Sequence, residues 1–242
     1  MTSSAPTAIT FPRRRKPKTD PAHAVYEIDL WLVNSDPPIW RSLAVPADLS
    51  LARLHLLIQL VMEWQECHMH EFQTQSGRRF EPGRDVVPIE GLEPMAFDDL
   101  REPEDESRIT LRDLFEELKE KIAYIYDFGD DWVHGIKLIA THADASAFQQ
   151  LPICLAGQRA GPPEDCGGPW GYAERLEILR APDPEDGWHE EIIEWMGRDY
   201  DPEAFDIAGK NKQLEAAFRP RPKRASRAGS GGGTKRPQRK SR

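Results

Sequence analysis

The chain has 242 residues, of which 39% are apolar and 30% are charged, so it has enough apolar material for a hydrophobic core. No run of about 18 apolar residues occurs, and the N-terminal stretch has no apolar run of signal-peptide length. These features exclude a membrane-spanning protein. Three cysteines are too few for a disulfide framework in a chain of this length, which favours a reducing compartment. We therefore expect a cytoplasmic protein.

The net charge of −9 is an average over three very different segments. Residues 1–24 carry five basic residues and one acidic residue, and residues 219–242 carry ten basic residues and no acidic one. The stretch 25–218 therefore holds 17 basic and 40 acidic residues, a net charge of −23. Both ends are also poor in large apolar residues. We predict disordered basic arms at 1–24 and 219–242 around one globular domain, 25–218.

The first elements in chain order are a strand pair and a helix. Apolar and polar residues alternate over 25–33, which is typical of a strand, and the Asp36-Pro37-Pro38 turn leads to a returning strand at 39–45. Trp40 is expected in the core and Arg41 in an ion pair. Ser50 is a suitable N-cap for a helix that ends near Trp64. Its predicted apolar face consists of Leu51, Leu54, Ile58, Val61 and Met62, with His55 half-buried beside it.

The sequence of the rest of the domain predicts further strands and helices, and these do not alternate as βαβ units. We predict a strand at 68–75, long irregular connections around short strands over 76–108, and a helix from Leu111 to about Lys121 with Thr110 as its cap. A hairpin follows, with strands at 122–128 and 132–140 and a turn in which Gly129 is free to take a positive φ. The remaining predicted elements are a loop over 152–170 and helices near 170–179, 185–196 and 209–217. This order indicates an α+β fold, a mainly antiparallel sheet with helices packed on it.

Four segments together resemble the plasmid pRiA4b ORF-3-like family: 37–64, 68–72, 126–134 and 152–172. The resemblance runs from about Val25 to Leu214 and leaves the basic arms outside. It implies an α+β fold and a family of unknown function, some of whose members are carried on insertion elements under a resolvase-like label. The sequence does not support that label, because neither a serine- nor a tyrosine-recombinase constellation is present.

One cluster of residues has the chemistry of a metal site. In the segment Cys67-His68-Met69-His70, a strand would place both imidazoles on the same face, which is half of a familiar zinc site. The alternative is that these histidines are hydrogen-bonded in a polar cleft or packed in the core. Asp127 and Asp165 are further candidates for this site. The candidate ligands for zinc or another divalent ion are His68, His70, Asp130, His134, Cys154 and Cys166.

Two other segments have weaker functional signals. An Asp–His pair at the 126–134 turn would orient an imidazole as a general base, although a purely structural turn is the favoured interpretation. The Gly- and Pro-rich segment 154–172 would offer backbone N–H groups to an anion, but it lacks the lysine and spacing of a P-loop. We expect the segments 67–70, 126–134 and 154–168 to converge, at least in part, on one cleft.

Two function hypotheses follow, and the sequence leaves enzymatic activity open. The first is a binding or adaptor module whose acidic surface takes a protein or another basic partner. In this hypothesis the C-terminal tail either binds nucleic acid without sequence preference or only keeps the protein soluble. The tail residues concerned are Arg219, Arg221, Lys223, Arg224, Lys235 and Arg236. The second hypothesis is a metal-dependent, hydrolase-like enzyme that uses a His/Asp/Cys cleft.

Overall fold

The computed structural model describes residues 24–83, 102–117, 121–143, 145–180 and 188–219. These residues form an eight-stranded, mostly antiparallel sheet with helices, which confirms the expected α+β fold. The strands are β1 (Val25–Leu32), β2 (Trp40–Pro46), β3 (His70–Thr74), β4 (Arg79–Glu81), β5 (Glu104–Asp105), β6 (Ile122–Tyr126), β7 (Trp132–His142) and β8 (Ile153–Gln158). The helices are α1 (Leu51–Met62), α2 (Leu111–Glu117), α3 (Gly168–Arg180), α4 (Trp188–Met196) and α5 (Ile207–Phe218). The predicted arms, except Ala24 and Arg219, lie outside the described residues.

The strand order is β5-β4-β3-β6-β7-β1-β2-β8. Every neighbouring pair is antiparallel except β4 and β5, which are parallel. In the centre of the sheet, Leu32 of β1 lies opposite His134 of β7. The turn between β6 and β7 therefore lies at the same end of the sheet as the turn between β1 and β2. This end of the sheet carries the candidate site.

Helix α1 packs across one face of the sheet. Ser50 accepts a hydrogen bond from the backbone N–H of Arg53 and caps the helix as predicted. All five residues of the predicted apolar face are buried, which confirms the amphipathic assignment. The helix ends at Met62, two residues before the predicted end, because Glu63 adopts a left-handed conformation with φ of 69°.

Arg41 was expected in an ion pair, and that expectation is wrong. The side chain is fully buried, and its guanidinium donates to four backbone carbonyls: Val61, Trp40, Gln158 and Arg159. Burial lowers its pKa to about 10. Since five N–H donors can saturate several carbonyls at once, Arg41 joins the end of α1 to the end of β8. Trp40 was expected in the core, but it is partly exposed, and its indole donates to Gln158.

The predicted loop over 152–170 contains a strand, β8, which pairs with β2 at the sheet edge. Most of the glycine and proline residues of the segment follow Gln158, so a single loop assignment for the whole segment is wrong. The helices predicted near 170–179 and 209–217 are confirmed as α3 and α5. Helix α4 is described from Trp188 onward, and residues 118–120 of the predicted second helix lie outside the described residues.

Among the described residues, no helix is both long and apolar enough to cross a membrane. All three cysteines, Cys67, Cys154 and Cys166, are free thiols.

Candidate functional site

The segment between α1 and β3 brings Cys67 and His68 to the end of the sheet. Glu63 and Glu66 both have left-handed backbone conformations, with φ of 69° and 56°. Such a conformation is unfavourable for residues other than glycine and is often found at functional sites. Gln59 stabilises the turn, because its amide oxygen accepts a hydrogen bond from the Glu66 N–H at 2.9 Å. The chain then presents Cys67 and His68 before β3 begins at His70.

Tyr126, the last residue of β6, is the hydrogen-bonding centre of the site. Its hydroxyl accepts from the backbone N–H of Cys67 at 3.1 Å and of His68 at 3.3 Å. It donates in turn to the Glu164 carboxylate. Glu164 also accepts from the Cys67 thiol, with Sγ 3.2 Å from Oε1. One phenol therefore fixes the positions of a cysteine, a histidine backbone and a carboxylate.

His68 lies between two aspartates. Its Nδ1 is 3.5 Å from Asp127 Oδ2, and its Nε2 is 3.2 Å from Asp165 Oδ1. The Nε2 atom is buried, and the contact with Asp165 lacks hydrogen-bond geometry, so Nε2 has no hydrogen-bond partner among the described residues. We call this group the Cys67 cleft, and its members are Cys67, His68, Asp127, Glu164 and Asp165. Two groups of three residues in the cleft have possible ligand atoms within 4.8 Å of one another, and His68 belongs to both. The first group is Cys67, His68 and Glu164, and the second is His68, Asp127 and Asp165.

The electrostatic environment of the Cys67 cleft is negative. Among the described residues, Asp127, Glu164 and Asp165 form no salt bridge with a lysine or arginine. Desolvation, the hydrogen bond with Glu164 and the neighbouring acidic charges raise the pKa of the Cys67 thiol. Desolvation and Glu164 also raise the pKa of Tyr126. A cation would therefore be stabilised in this cleft, and its binding would favour loss of the thiol proton.

The turn between β6 and β7 positions Asp127. Asp127 and Asp131 adopt left-handed conformations, with φ of 58° and 60°, whereas Gly129, which is free to do so, does not. Aspartate tolerates this conformation because its short side chain hydrogen-bonds locally, and Asp127 Oδ1 accepts from the Gly129 N–H at 2.9 Å. The Asp127 N–H donates to the Met69 carbonyl at 2.9 Å, which holds Asp127 beside His68.

The Asp130 side chain forms a hydrogen bond that supports the fold beside the Cys67 cleft. Its Oδ2 accepts from the Gly167 N–H at 3.0 Å and connects the turn to the loop before α3. A Cβ on Gly168 would lie 2.1 Å from the Asp130 carbonyl oxygen, so only glycine fits at that position. Asp130 therefore brings the predicted turn and loop segments together, although it does not belong to the Cys67 cleft.

His70 has different partners from His68. Its ring stacks on His55 of α1, with centroids 3.5 Å apart, and its Nε2 lies 2.9 Å from Glu106 Oε2. His55 Nδ1 lies 2.7 Å from the Tyr124 hydroxyl, and desolvation, together with His70, lowers the pKa of His55 to about 3. His68 precedes the strand, so the period-two argument that paired it with His70 does not apply.

His134 is fully buried on β7, and it shares the predicted strand face with Trp132. Both rings lie against Trp64. Burial lowers the pKa of His134 to about 3, and its Nε2 has no hydrogen-bond partner in the described part of the chain. The Asp–His contact that the sequence predicted at this turn is formed by Asp127 with His68, not with His134.

The two remaining candidate ligands are buried elsewhere. Cys154 lies on β8, where its N–H donates to Asn211 at 2.7 Å, and burial raises its pKa to about 11. Burial raises the pKa of Cys166 to about 12, and Arg175 donates to its carbonyl oxygen at 2.7 Å. Sequence reasoning did not assign Cys67 and Glu164 as ligands. The sequence signal that points to these two residues is their position next to candidate residues, because Cys67 directly precedes His68 and Glu164 directly precedes Asp165.

The geometry defines the class of protein to which this chain belongs. It is an α+β protein with an acidic, cysteine-bearing cleft at one end of its sheet. The sequence model of one family, the plasmid pRiA4b ORF-3-like proteins, matches residues 24–209, and the chain belongs to this family. The match confirms the resemblance seen in the sequence.

Two similar proteins support the assignment without adding a function. The uncharacterized protein y4hQ of Sinorhizobium fredii is 34% identical over 194 residues, which cover 79% of this chain and 91% of that protein. The crystal structure of the protein of unknown function MM3350 from Methanosarcina mazei Go1 is also similar, with a TM-score of 0.63 and 34% identity. That match covers 77% of this chain and 97% of the other.

Proposed function

We propose that the Cys67 cleft binds one divalent metal ion of the zinc class. The observation that carries the proposal is the buried His68 Nε2, which has no hydrogen-bond partner among the described residues although it faces the cleft's carboxylates. A buried polar atom without a partner is costly, and a metal ion would satisfy it. The proposed ligands are Cys67 Sγ, His68 Nε2, and the carboxylates of Glu164 and Asp165. Asp127 would hold the His68 ring through Nδ1, an outer-shell role common around histidine ligands.

The spacing of the side chains supports this assignment. In a tetrahedral zinc site with ligand distances of about 2.0–2.3 Å, neighbouring ligand atoms lie roughly 3.3–3.6 Å apart. Cys67 Sγ is 3.2 Å from Glu164 Oε1, and His68 Nε2 is 3.2 Å from Asp165 Oδ1. These are two separate close pairs: the possible ligand atoms lie within 4.8 Å of one another as two triples that share His68, so the side chains would have to move to bring all four proposed ligand atoms around one ion. The mixture of one thiolate, one imidazole and carboxylates suits zinc better than calcium or magnesium.

A hydrolase-like activity is the second candidate function. The Asp165 side chain is 69% exposed, so solvent reaches the proposed ion on that side. Replacement of Asp165 by water would give three protein ligands and one open position, the arrangement of catalytic zinc sites. A bound ion would lower the pKa of that water and generate a nucleophile. Metal binding by the Cys67 cleft remains the primary proposal, because a hydrolase-like activity would need an open ligand position and a substrate in addition.

Metal analysis of the untagged full-length protein tests the primary proposal. We expect about one zinc per chain after dialysis against zinc-containing buffer, and loss of that zinc in His68→Ala. His142→Ala is the matched control, because His142 is a partly buried histidine that contacts Glu27 on the sheet instead of the cleft. Equal zinc in wild type and His68→Ala, or no zinc in either, would rule out the site.

For the C-terminal tail we propose sequence-independent binding of nucleic acid, as an adaptor function separate from the cleft. The support is the charge of the segment, ten basic residues without an acidic one. Of these ten residues, Arg219 lies within the part of the chain that the structure describes. Its Nη2 atom is 3.3 Å from Glu215 Oε1. Because the domain itself is acidic, contact with phosphates would be confined to the basic arms.

Charge removal in the tail tests this second proposal. We expect the full-length protein to bind duplex DNA at low salt with an affinity that falls steeply as salt increases. Replacing Arg221, Lys223 and Arg224 by glutamine should make the plot of log affinity against log salt shallower, by up to about 0.9 for each phosphate that the tail no longer neutralises. Unchanged affinity and slope after removal of all basic residues from 220–242 would contradict the proposal.

The three free thiols support the cytoplasm as the compartment, since an oxidising environment favours disulfides. We propose this location for the chain, together with an association with mobile elements of the kind that the family resemblance implies.

A further inference from the structure

A pocket between α3 and α4 has the size and lining of a small-molecule site. The two helices pack against each other, and the cavity near their C-terminal ends has a volume of about 350 Å³, which is typical of pockets for small organic ligands. The described residues that line it come from α3, from α4 and from the segment 197–202, and we call it the α3–α4 pocket. The proposed zinc ligands are described residues that lie outside this lining.

The deeper part of the α3–α4 pocket is aliphatic. Leu176 of α3 and Met196 of α4 line it, and both are buried, with exposed fractions of 3% and 8%. Leu179, Ile193 and Pro202 are partly buried and complete the apolar lining. An alkyl chain in this pocket would therefore be removed from water on several sides, which is the main source of affinity for an apolar ligand.

The charged side chains of the pocket are two arginines, Arg180 and Arg198, and its described lining contains no acidic residue. This is a local exception in a domain whose net charge is −23. Both arginines are exposed, so positive charge lies at the mouth and apolar surface lies below it. Arg198 is 3.5 Å from Glu190, but both side chains are more than two-thirds exposed, and such a contact is weak enough for a ligand to replace. Arg180 forms no salt bridge within the described part of the chain.

We infer that the α3–α4 pocket binds an aliphatic carboxylic acid as its anion, with the alkyl chain in the deeper part and the carboxylate at Arg180 and Arg198. A guanidinium group donates two parallel hydrogen bonds to a carboxylate, which a neutral head group cannot accept in the same way. A cationic ligand would be repelled by the two arginines. The aliphatic lining favours an alkyl chain over a ring, since Tyr200 supplies its one aromatic side chain among the described residues.

Isothermal titration calorimetry of the full-length protein with octanoate tests the inference. The protein is first dialysed against a chelator, so that no metal ion can hold the carboxylate. We expect one octanoate per chain, with an affinity that falls as salt increases. Octanol, which has the same chain without the charge, should bind about tenfold more weakly. Hexanoate should bind roughly 15-fold more weakly, because each of its two missing CH₂ groups is worth about a factor of four.

Arginine variants locate the bound carboxylate. Arg180→Gln and Arg198→Gln should each weaken octanoate binding by about threefold, and the double variant by about tenfold, because exposed charge pairs contribute modestly. Arg108→Gln is the matched control, since Arg108 is an exposed arginine that pairs with Asp105 beside β5, away from the pocket, and it should leave binding unchanged. Equal affinity for octanoate and octanol, or equal effects of Arg108→Gln and Arg198→Gln, would overturn the inference.

The variant His68→Ala separates this inference from the proposed metal site. It lacks a proposed zinc ligand, and His68 does not line the α3–α4 pocket, so octanoate should bind to it as to the wild type. Loss of octanoate binding in His68→Ala, with the variant folded by circular dichroism, would place the carboxylate at the Cys67 cleft and overturn the pocket. Normal zinc content without octanoate binding would overturn the pocket and leave the metal site intact. Arginine-dependent octanoate binding in a protein that takes up no zinc would support the pocket and rule out the metal site.

Discussion

Lowering the pH from 7 to 5 is expected to reduce the free energy of unfolding by about 4 kcal/mol through His55 and His134 alone. Burial lowers the pKa of each histidine from 6.5 to about 3. The unfolded chain therefore takes up protons below pH 6.5 that the folded protein cannot accept until about pH 3. The stability contributed by these neutral histidines is complete above about pH 6.5 and is lost progressively as the pH falls. At pH 5 each histidine accounts for about 2 kcal/mol of the loss.

Urea unfolding at pH 7 and pH 5 measures this effect. The variant with both His55→Gln and His134→Gln should lose about 4 kcal/mol less than the wild type between the two pH values, whatever its stability at pH 7. Each single variant should show about half of that difference. An identical pH dependence in the wild type and the double variant would contradict the assignment of two buried neutral histidines.

Replacing Tyr126 by phenylalanine is expected to weaken zinc binding by about 10- to 100-fold. The substitution removes only the hydroxyl and leaves the ring stacked on Trp64, with centroids 4.9 Å apart. Without the hydroxyl, the N–H groups of Cys67 and His68 lose their acceptor, and Glu164 loses a donor. The ligands would then have to be ordered by the ion itself, which costs binding free energy.

Tyr124→Phe provides the matched control for this prediction. Tyr124 lies two residues earlier on the same strand, and its hydroxyl contacts His55 and the amide nitrogen of Gln59, neither of which is a proposed ligand. Tyr124→Phe does not alter the Gln59 oxygen, which is the atom that accepts from the Glu66 N–H. We expect zinc affinity in this variant to equal that of the wild type in a competition titration with a chelator. Equal affinity in Tyr126→Phe and Tyr124→Phe, with both folded by circular dichroism, would show that the Tyr126 hydroxyl does not position the site.

The fold was predictable where local periodicity and burial agree. Helix α1 has a capping serine and an apolar face with a clear helical period, and each feature occurs in the structure as expected. Strand β8 was missed because it lies at a sheet edge, and only Cys154 of its six residues is fully buried. Its partner β2 is more than 100 residues earlier in the chain, so local sequence does not show the pairing.

The candidate site was predictable as a convergence of segments but not as a set of ligands. The sequence indicated that residues near 67–70, 126–134 and 154–168 meet, and His68, Asp127 and Asp165 do lie together. The ligand set differs because left-handed conformations at Glu66 and Asp127 determine where the side chains point. Propensity gives no signal for such conformations at glutamate. The stacking of His70 on His55 likewise depends on long-range packing of α1 against β3.

X-ray absorption at the zinc edge of the full-length, untagged protein tests the metal-site proposal most directly. The proposed ligands predict one sulfur at about 2.3 Å and nitrogen or oxygen neighbours at about 2.0–2.2 Å. The sulfur contribution should disappear in Cys67→Ser and persist in Cys154→Ser, since Cys154 is buried on β8. Retention of the sulfur contribution in Cys67→Ser, or a zinc shell without sulfur in the wild type, would contradict the Cys67 cleft as the metal centre.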